Sequence, residues 1–321
     1  MAEEHFANMD MALATENQSQ HPTYKVGAVL QGCDHTGQPF TVARPNFWPE
    51  RLARALGTDT KLGNSSLTIH AEVAAILAAP CTDEATIYVT NFPCPNCAKM
   101  IAESRISRVF IDSHTHRNTP LGEKMYPYFE NVSRRIFDKA CIEVQEILYP
   151  RQDFKTLVPA RPTKMRAIKH PVLQIPVATD SLNAGHFVAL AEEKGLADSK
   201  NAHALCFART EMGLPYILAA QTDYSIGMNE RTADDIRAAQ DKYSPLLYPV
   251  NRLLAAAARM GLRLVPEDLY CTHVPTSREW VNLIGAGFER VTIGNSTLCR
   301  DKDSLAALKT VRNKAIILVK D

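Results

Sequence analysis

Apolar positions along the chain switch repeatedly between two spacings. From His5 to Thr15 they fall at Phe6, Met9, Met11, Ala12 and Ala14, the period of an amphipathic helix. Tyr24–Leu30 and Phe40–Ala43 read as strands, with Asp34-His35-Thr36-Gly37-Gln38 as the turn-rich connection between them. Ile69–Ala79 is an Ala-rich helix, Ala85–Asn91 a β-rich run, Cys94–Ser104 a helix and Arg108–Asp112 a strand. A helix over Lys124–Asp138 and a strand over Cys141–Leu148 close the unit. Short apolar strands alternating with helices predict a sheet covered on both faces.

The second half repeats this order. Helix Leu182–Lys194 precedes strands Ala204–Ala208 and Tyr216–Ala220, and the Ala-rich helix Val250–Met260 leads into strand Asp268–His273. Helix Arg278–Ala286, strand Arg290–Ile293, helix Leu305–Val311 and strand Ala315–Val319 follow. A shift of 182 residues lays Tyr88-Val89-Thr90-Asn91-Phe92-Pro93 over Tyr270-Cys271-Thr272-His273-Val274-Pro275, and Arg108-Val109-Phe110-Ile111 over Arg290-Val291-Thr292-Ile293. With the matching element order, these identities predict an internal duplication. At a near-identical shift, Asn229 falls on Asn46. Between the halves, Tyr149–Pro176 carries five prolines and six basic residues against a single acid, Asp153, and reads as a solvated connector. The expected organisation is a catalytic domain over 1–148, a Pro-rich basic linker over 149–176 and a second domain over 177–321.

Length and charge narrow the class. A chain of 321 residues with 45% apolar residues can bury two cores. Its 36 Lys+Arg against 35 Asp+Glu do not make its whole surface an electrostatic footprint for nucleic acid or anionic membrane. No apolar run approaches the roughly 18 residues of a membrane span, and the acidic start, Met1-Ala2-Glu3-Glu4-His5, lacks a secretory layout. Eight Cys in a chain this long are not a disulfide framework. A reduced, cytoplasmic protein is the expectation.

The chemistry concentrates at two helix starts. His70-Ala71-Glu72 opens one, and Pro93-Cys94-Pro95-Asn96-Cys97 follows a strand and opens the next. Cys94 and Cys97 project to one side of a first helical turn, where unpaired N–H groups favour thiolates. With His70 they make one imidazole and two thiolates, a tetrahedral Zn²⁺ set that leaves a fourth position for water. Glu72, two residues beyond the imidazole, is placed to take and return a proton. A bare Cys-x-x-Cys also serves as a redox pair or half of a structural zinc site. The first needs a thioredoxin-like setting, and the second a further Cys-x-x-Cys that this chain lacks. His-x-Glu followed by Pro-Cys-x-x-Cys is the signature of zinc deaminases.

Residues 5–148 resemble the cytidine and deoxycytidylate deaminase superfamily. Thr86-Ile87-Tyr88-Val89-Thr90 running into Pro93-Cys94-Pro95-Asn96-Cys97-Ala98-Lys99 is closest to its deoxycytidylate-deaminase-like branch, and Lys25-Val26-Gly27-Ala28-Val29 is similar to the family's first strand. The resemblance implies a three-layer α/β/α fold with a mixed sheet, here in two tandem copies, and hydrolytic removal of an amino group from a nucleobase. It implies zinc on His70, Cys94 and Cys97, with Glu72 as the proton shuttle. Asn46 lies where the family places a substrate-contacting Asn, and Phe47 and Ala71 are the other substrate-binding candidates. Phe47 and Trp48 either wall the pocket or simply pack.

One departure stands out. The branch has Gly-Tyr-Asn-Gly where this chain has Ala43-Arg44-Pro45-Asn46-Phe47, which leaves the choice between nucleoside and nucleotide open. Arg44, Arg51 and Arg54 either bind a substrate phosphate or form an ordinary solvated face. His114 and His116, two apart beyond a strand, are ligand candidates of lower rank. The second copy lacks the site, since Cys94 and Cys97 fall on Thr276 and Glu279. It is expected to pack on the first as a pseudo-subunit, with a separate regulatory ligand site as the rival. The expected function is deamination of a cytosine-type nucleoside or nucleotide by a homodimer. Rivals are a base in RNA or single-stranded DNA, a free purine such as guanine, and a scaffold in which zinc only stabilises the fold. Specificity is expected in the loops Arg44–Leu67 and His114–Tyr126.

Overall fold

The computed structural model describes residues 2–112, 131–149, 153–162, 171–177, 184–196, 200–229 and 244–321. His114 and His116, the His114–Tyr126 loop and residues 124–130 of the predicted 124–138 helix lie outside them.

β1 (Gly27–Cys33) shows how the first sheet is built. Its residues point alternately to opposite faces. Ala28 and Leu30 join the large core, while Val29 packs with Met9 and Ala12 of α1 (Ala2–Glu16). β1 pairs antiparallel with β2 (Pro39–Pro45) and with β5 (Thr86–Val89). β5 runs parallel to β6 (Arg108–Asp112), and β6 parallel to β7 (Glu143–Leu148). β8 (Asp153–Val158) closes the edge, so the order is β2-β1-β5-β6-β7-β8. A two-residue hairpin, β3 (Lys61–Leu62) with β4 (Ser65–Ser66), stands outside the sheet. α1 comes so close to β1 that a Cβ at Gly27 would fall 2.0 Å from the Ala12 carbonyl oxygen.

On the other face lie α2 (Glu50–Leu56), α3 (Ala71–Ala78), α4 (Pro95–Glu103) and α5, described over 131–139. Pro49 precedes α2, whose two turns the sequence pattern does not predict.

The second sheet repeats the plan. β9 (Leu173–Pro176), β11 (Pro215–Gln221), β10 (His203–Arg209), β14 (Arg263–His273), β15 (Arg290–Asn295) and β16 (Leu318–Lys320) are adjacent in that order. From β11 to β16, strand order and direction match β2 to β7. Tyr88 sits across from Phe110, and Tyr270 from Thr292, so the shift of 182 holds in this register. A minor pair, β12 (Asp223–Tyr224) with β13 (Leu246–Leu247), lies apart. The helices are α6 (Ala184–Glu193), α7 (Pro249–Met260), α8 (Ser277–Gly285) and α9 (Lys302–Asn313).

The two units bury their inner faces together. Phe187 and Ala191 of α6 cover one face of the second sheet, packing on Leu205, Phe207 and Ile217. Ala204 and Cys206 point the other way, into a core shared with Ala28, Leu30 and the helices between the sheets. Polar ties cross this seam. Arg252 and Glu103, both 1% exposed, pair at 3.1 Å, and the Lys99 ammonium donates to the carbonyls of Ser244 and Leu246 at 2.9 Å.

The predicted connector 149–176 is in part structured. Its residues supply β8 to the first sheet and β9 to the edge of the second. Two of its basic side chains are spent internally, Lys155 on Glu146 at 3.4 Å and Arg161 on Asp138 at 2.7 Å. Among the described residues no helix is long and apolar enough to cross a membrane.

Candidate active site

Two helix N-termini meet at the C-terminal end of β5. His70 is the N-cap of α3, which brings Ala71 to its first position and Glu72 to its second. Cys94 is the N-cap of α4, followed by Pro95, a residue whose fixed φ and missing N–H suit a first helical turn. Cys97 then falls one turn along, beside Cys94.

The side chains converge as predicted. Cys94 Sγ and Cys97 Sγ lie 3.7 Å apart, and His70 Nδ1 lies 3.5 Å from the first and 3.3 Å from the second. A tetrahedral Zn²⁺ with Zn–S of about 2.3 Å and Zn–N of about 2.0–2.1 Å requires S–S near ~3.8 Å and S–N near ~3.6 Å. The donor set therefore fits zinc without rearrangement, and among the described residues it is the cluster of metal-binding side chains. Burial pushes the Cys97 thiol well up, and the neighbouring Cys94 adds to the rise. A cation held between the two sulfurs would favour their thiolate forms. Glu72 is buried too, and that burial raises its carboxyl above the ordinary carboxylate range.

A cavity of about 310 Å³ opens over this cluster. His70, Glu72 and Cys94 form its floor, and Asn46, Ser66, Thr68 and Asn91 offer polar groups around it. Val26, Phe92, His21 and Tyr24 complete the wall, with His21 stacked on Trp48 at a centroid distance of 5.2 Å. Of these, His21, Tyr24, Ser66, Thr68 and Asn91 were not singled out from the sequence. They come from segments far apart in the chain, and only the fold assembles them.

Asn46 lines the cavity and also holds its wall. Its Oδ1 accepts from the Val26 N–H at 2.9 Å, and its Nδ2 donates to the Tyr24 carbonyl at 2.8 Å. An amide can make four hydrogen bonds, so one N–H and one lone pair remain. Ala71 is fully buried at the helix start. Phe47 is not part of the cavity wall. Its backbone bridges Ile69, next to His70, and the residue is exposed. Arg51 pairs with Glu289 at 2.5 Å and Arg54 with Glu50, and Arg44 donates to the Ala43 carbonyl. None of the three lines the cavity.

The second unit contributes to this wall. Arg278 of α8 donates to the Thr68 carbonyl at 2.9 Å and to the carbonyl and hydroxyl oxygens of Ser66 at 3.2 Å. Gly285, two turns further along the same face of α8, lies where a Cβ would stand 2.5 Å from Ile69 Cδ1.

At the corresponding place in the second sheet the metal donors are gone. Tyr248 is the N-cap of α7 and Thr276 the N-cap of α8, in the positions of His70 and Cys94. Glu279 replaces Cys97. Its Oε1 accepts from the Val250 N–H and its Oε2 from the Thr276 N–H, each at 2.8 Å. A carboxylate thus neutralises the two helix starts, and Thr276 with Glu279 forms a capping box. The expected match of Asn229 to Asn46 is not the structural one. The β1–β2 and β10–β11 registers differ by 176 residues, which puts Thr222 after β11 where Asn46 follows β2.

An imidazole, two cysteines and a buried carboxylate at two helix starts under a small polar cavity define a zinc hydrolase of the nucleobase deaminase class. The model of the cytidine and deoxycytidylate deaminase zinc-binding region matches residues 2–113. The chain is 33% identical over 136 residues to an uncharacterized deaminase in the luxG 3' region of Aliivibrio fischeri, covering 42% of this chain and 86% of that protein. It is 34% identical over 112 residues to the deoxycytidylate deaminase of Mycobacterium phage D29, covering 32% of this chain and 88% of the relative. It is 26% identical over 154 residues to a probable deoxycytidylate deaminase of Caenorhabditis elegans, covering 45% and 70%. A dCMP deaminase from the cyanophage S-TIM5, solved in complex with dCMP and dUMP, matches at 21% identity with a TM-score of 0.31, over 45% of this chain and 96% of that one. The chain belongs to the cytidine and deoxycytidylate deaminase family. It is accordingly a zinc-dependent hydrolase acting on C–N bonds.

Proposed function

We propose that residues 1–148 form the catalytic domain and deaminate the cytosine ring of a free nucleoside or nucleotide in the 310 Å³ cavity. The observation that carries this is the buried Glu72 carboxyl set beside the His70, Cys94 and Cys97 cluster on the floor of that cavity. His70, Cys94 and Cys97 hold zinc, which supplies the Lewis acidity that makes water a nucleophile near neutral pH.

Glu72 moves the protons. Its carboxylate takes one proton from the attacking water and delivers it to the ring nitrogen beside the amine-bearing carbon, then takes the second proton from the newly added hydroxyl and passes it to the departing amine. Water adds at that carbon, the C–N bond breaks, ammonia leaves and a carbonyl remains. A raised carboxyl pKa suits a group that must hold a proton between these steps. The remaining N–H and lone pair of Asn46, the Asn91 amide and the Thr68 and Ser66 hydroxyls read the base edge and sugar. The Ala71 N–H, in the unpaired first turn of α3, is a further donor. Phe92 supplies an apolar wall against the ring.

The second domain, residues 177–321, serves as a non-catalytic partner fused to the first. Arg278 is its positioning residue, fixing the 66–68 segment from behind.

The test is ammonia release from zinc-loaded protein, with Glu72→Ala as the blank. The panel holds cytosine, cytidine, deoxycytidine, their monophosphates, adenine, adenosine, guanine and a short RNA. Turnover of one free cytosine compound, absent in the variant, supports the reading and decides whether a phosphate is required. Turnover confined to a purine or to RNA overturns it.

A further inference from the structure

His21 reaches the wall of the catalytic cavity from the loop between α1 and β1. Its ring is held from two sides. Nδ1 accepts the backbone N–H groups of Thr23 and Tyr24 at 3.2 and 2.9 Å. One ring face stacks on Trp48 with an interplanar angle of 22°. The backbone is fixed as well. The His21 N–H donates to Ser19 Oγ at 3.2 Å, and that buried hydroxyl donates to the Asn46 carbonyl at 3.2 Å. Asn46 in turn holds Tyr24 and Val26 through its side chain, so the segment 19–26 is tied at both ends to the cavity's own amide.

These contacts settle the tautomer. A ring nitrogen that accepts two N–H groups carries no hydrogen, so the hydrogen sits on Nε2 and makes that atom a donor. An imidazolium would instead turn an N–H of its own toward those of Thr23 and Tyr24. Burial also holds the imidazole below its ordinary value, against the pull of the Asp59 carboxylate, so the ring is neutral near pH 7. With one face on Trp48 and the Nδ1 edge on the backbone, His21 offers the cavity its other face and its Nε2–H. Among the described residues Nε2 has no hydrogen-bond partner. A donor already immobilised by the fold loses little further freedom when it binds, and is therefore an effective anchor for an oxygen acceptor.

We propose that His21 is a specificity-determining residue, its Nε2–H donating to an oxygen on the ribosyl side of the substrate, either a sugar hydroxyl or a phosphate oxygen. This rests on the function proposed for the cavity. The reacting carbon of the base must stand at the floor of His70, Glu72 and Cys94, and His21 belongs to the wall beside it.

Two variants separate this role from that of merely holding a turn. In His21→Asn the side-chain oxygen can accept the same N–H groups, as Asn does in turns, but no donor reaches the Nε2 position. In His21→Gln the amide N–H reaches that position, while the turn loses its acceptor. Steady-state deamination of cytidine, deoxycytidine and dCMP is measured on zinc-loaded parent and variants, with calorimetric binding of uridine and dUMP and urea unfolding on the same preparations. His21→Asn should raise KM and Kd roughly three- to tenfold, with kcat little changed, since the bond is present in ground and transition states alike. His21→Gln should bind more nearly as the parent does, although it is the less stable of the two. A loss shared by nucleosides and nucleotides places the bond on the sugar, and one confined to dCMP and dUMP places it on the phosphate. Parent-like binding by His21→Asn, or weaker binding by His21→Gln than by His21→Asn, overturns the proposal. A parent that turns over no cytosine compound fails the catalytic reading instead, and uridine and dUMP binding still decides the role of His21. A parent that binds neither overturns it.

Discussion

Replacing Arg252 with Met should cost more than replacing Arg252 and Glu103 together. These side chains pair at 3.1 Å between α7 and α4, each 1% exposed, at the seam that joins the two sheets. Arg252 also donates to the Gln221 carbonyl at 2.8 Å. A buried ion pair contributes little net stability, because desolvation offsets most of the Coulomb attraction, whereas one orphaned member costs about 3–5 kcal/mol. Arg252→Met leaves the Glu103 carboxylate stranded and should lower stability by that amount, or roughly 5–10 °C in Tm for a chain of this size. In Arg252→Met with Glu103→Leu, the stranded charge is gone and the main loss is the donor to Gln221, about 1–2 kcal/mol. The double variant should therefore be more stable than the single by about 2–3 kcal/mol. Urea unfolding followed by fluorescence and by zinc release measures this. Equal or lower stability of the double variant would refute the reasoning, as would a cost below about 1 kcal/mol for Arg252→Met.

Two further perturbations have calculable directions. Gly285→Ala, at the last residue of α8, gains less than about 1 kcal/mol of helix propensity, but its Cβ would stand 2.5 Å from Ile69 Cδ1, and overpacking costs about 1–3 kcal/mol. Because Ile69 precedes His70, a proposed zinc ligand, chelator competition should show weaker zinc binding, and unchanged affinity would detach α8 from the site. Burial holds the His203 imidazole below its ordinary value, so the folded chain keeps it neutral while the unfolded chain takes up a proton near pH 6.5. Its stabilising effect is complete above that pH and lost as pH falls below it, so urea midpoints should drop between pH 7 and 5 less steeply in His203→Asn than in the parent.

Much of the site was legible because its chemistry is local. His70 and Glu72 sit in one helical turn and Cys94 and Cys97 in another, so residue type and spacing suffice. The duplication was legible through β5 and β14, where matching residues such as Tyr88 and Tyr270 keep the same register. It failed for Asn229 because the loops differ in length: the 182-residue shift of β5 and β6 becomes 176 at β1 and β2. The connector hid two strands. β9 has only four residues and ends on a proline, and β8 is largely exposed, so neither carries the alternation that marks a half-buried strand. Thr276-Ser277-Arg278-Glu279 does carry a capping-box pattern, and that signal could have foretold what fills the second site. Arg278's contact with Ser66 and Thr68 had no such signal, because it joins residues 210 and 212 apart.

The central claim is that His70, Cys94 and Cys97 hold the metal while Glu72 moves the proton. Zinc content and ammonia release measured on the same preparation of Glu72→Gln, beside the parent, test it most directly. One zinc per chain is expected in both proteins, since the second site lacks the donors, with turnover only in the parent. Sustained turnover by Glu72→Gln would contradict it.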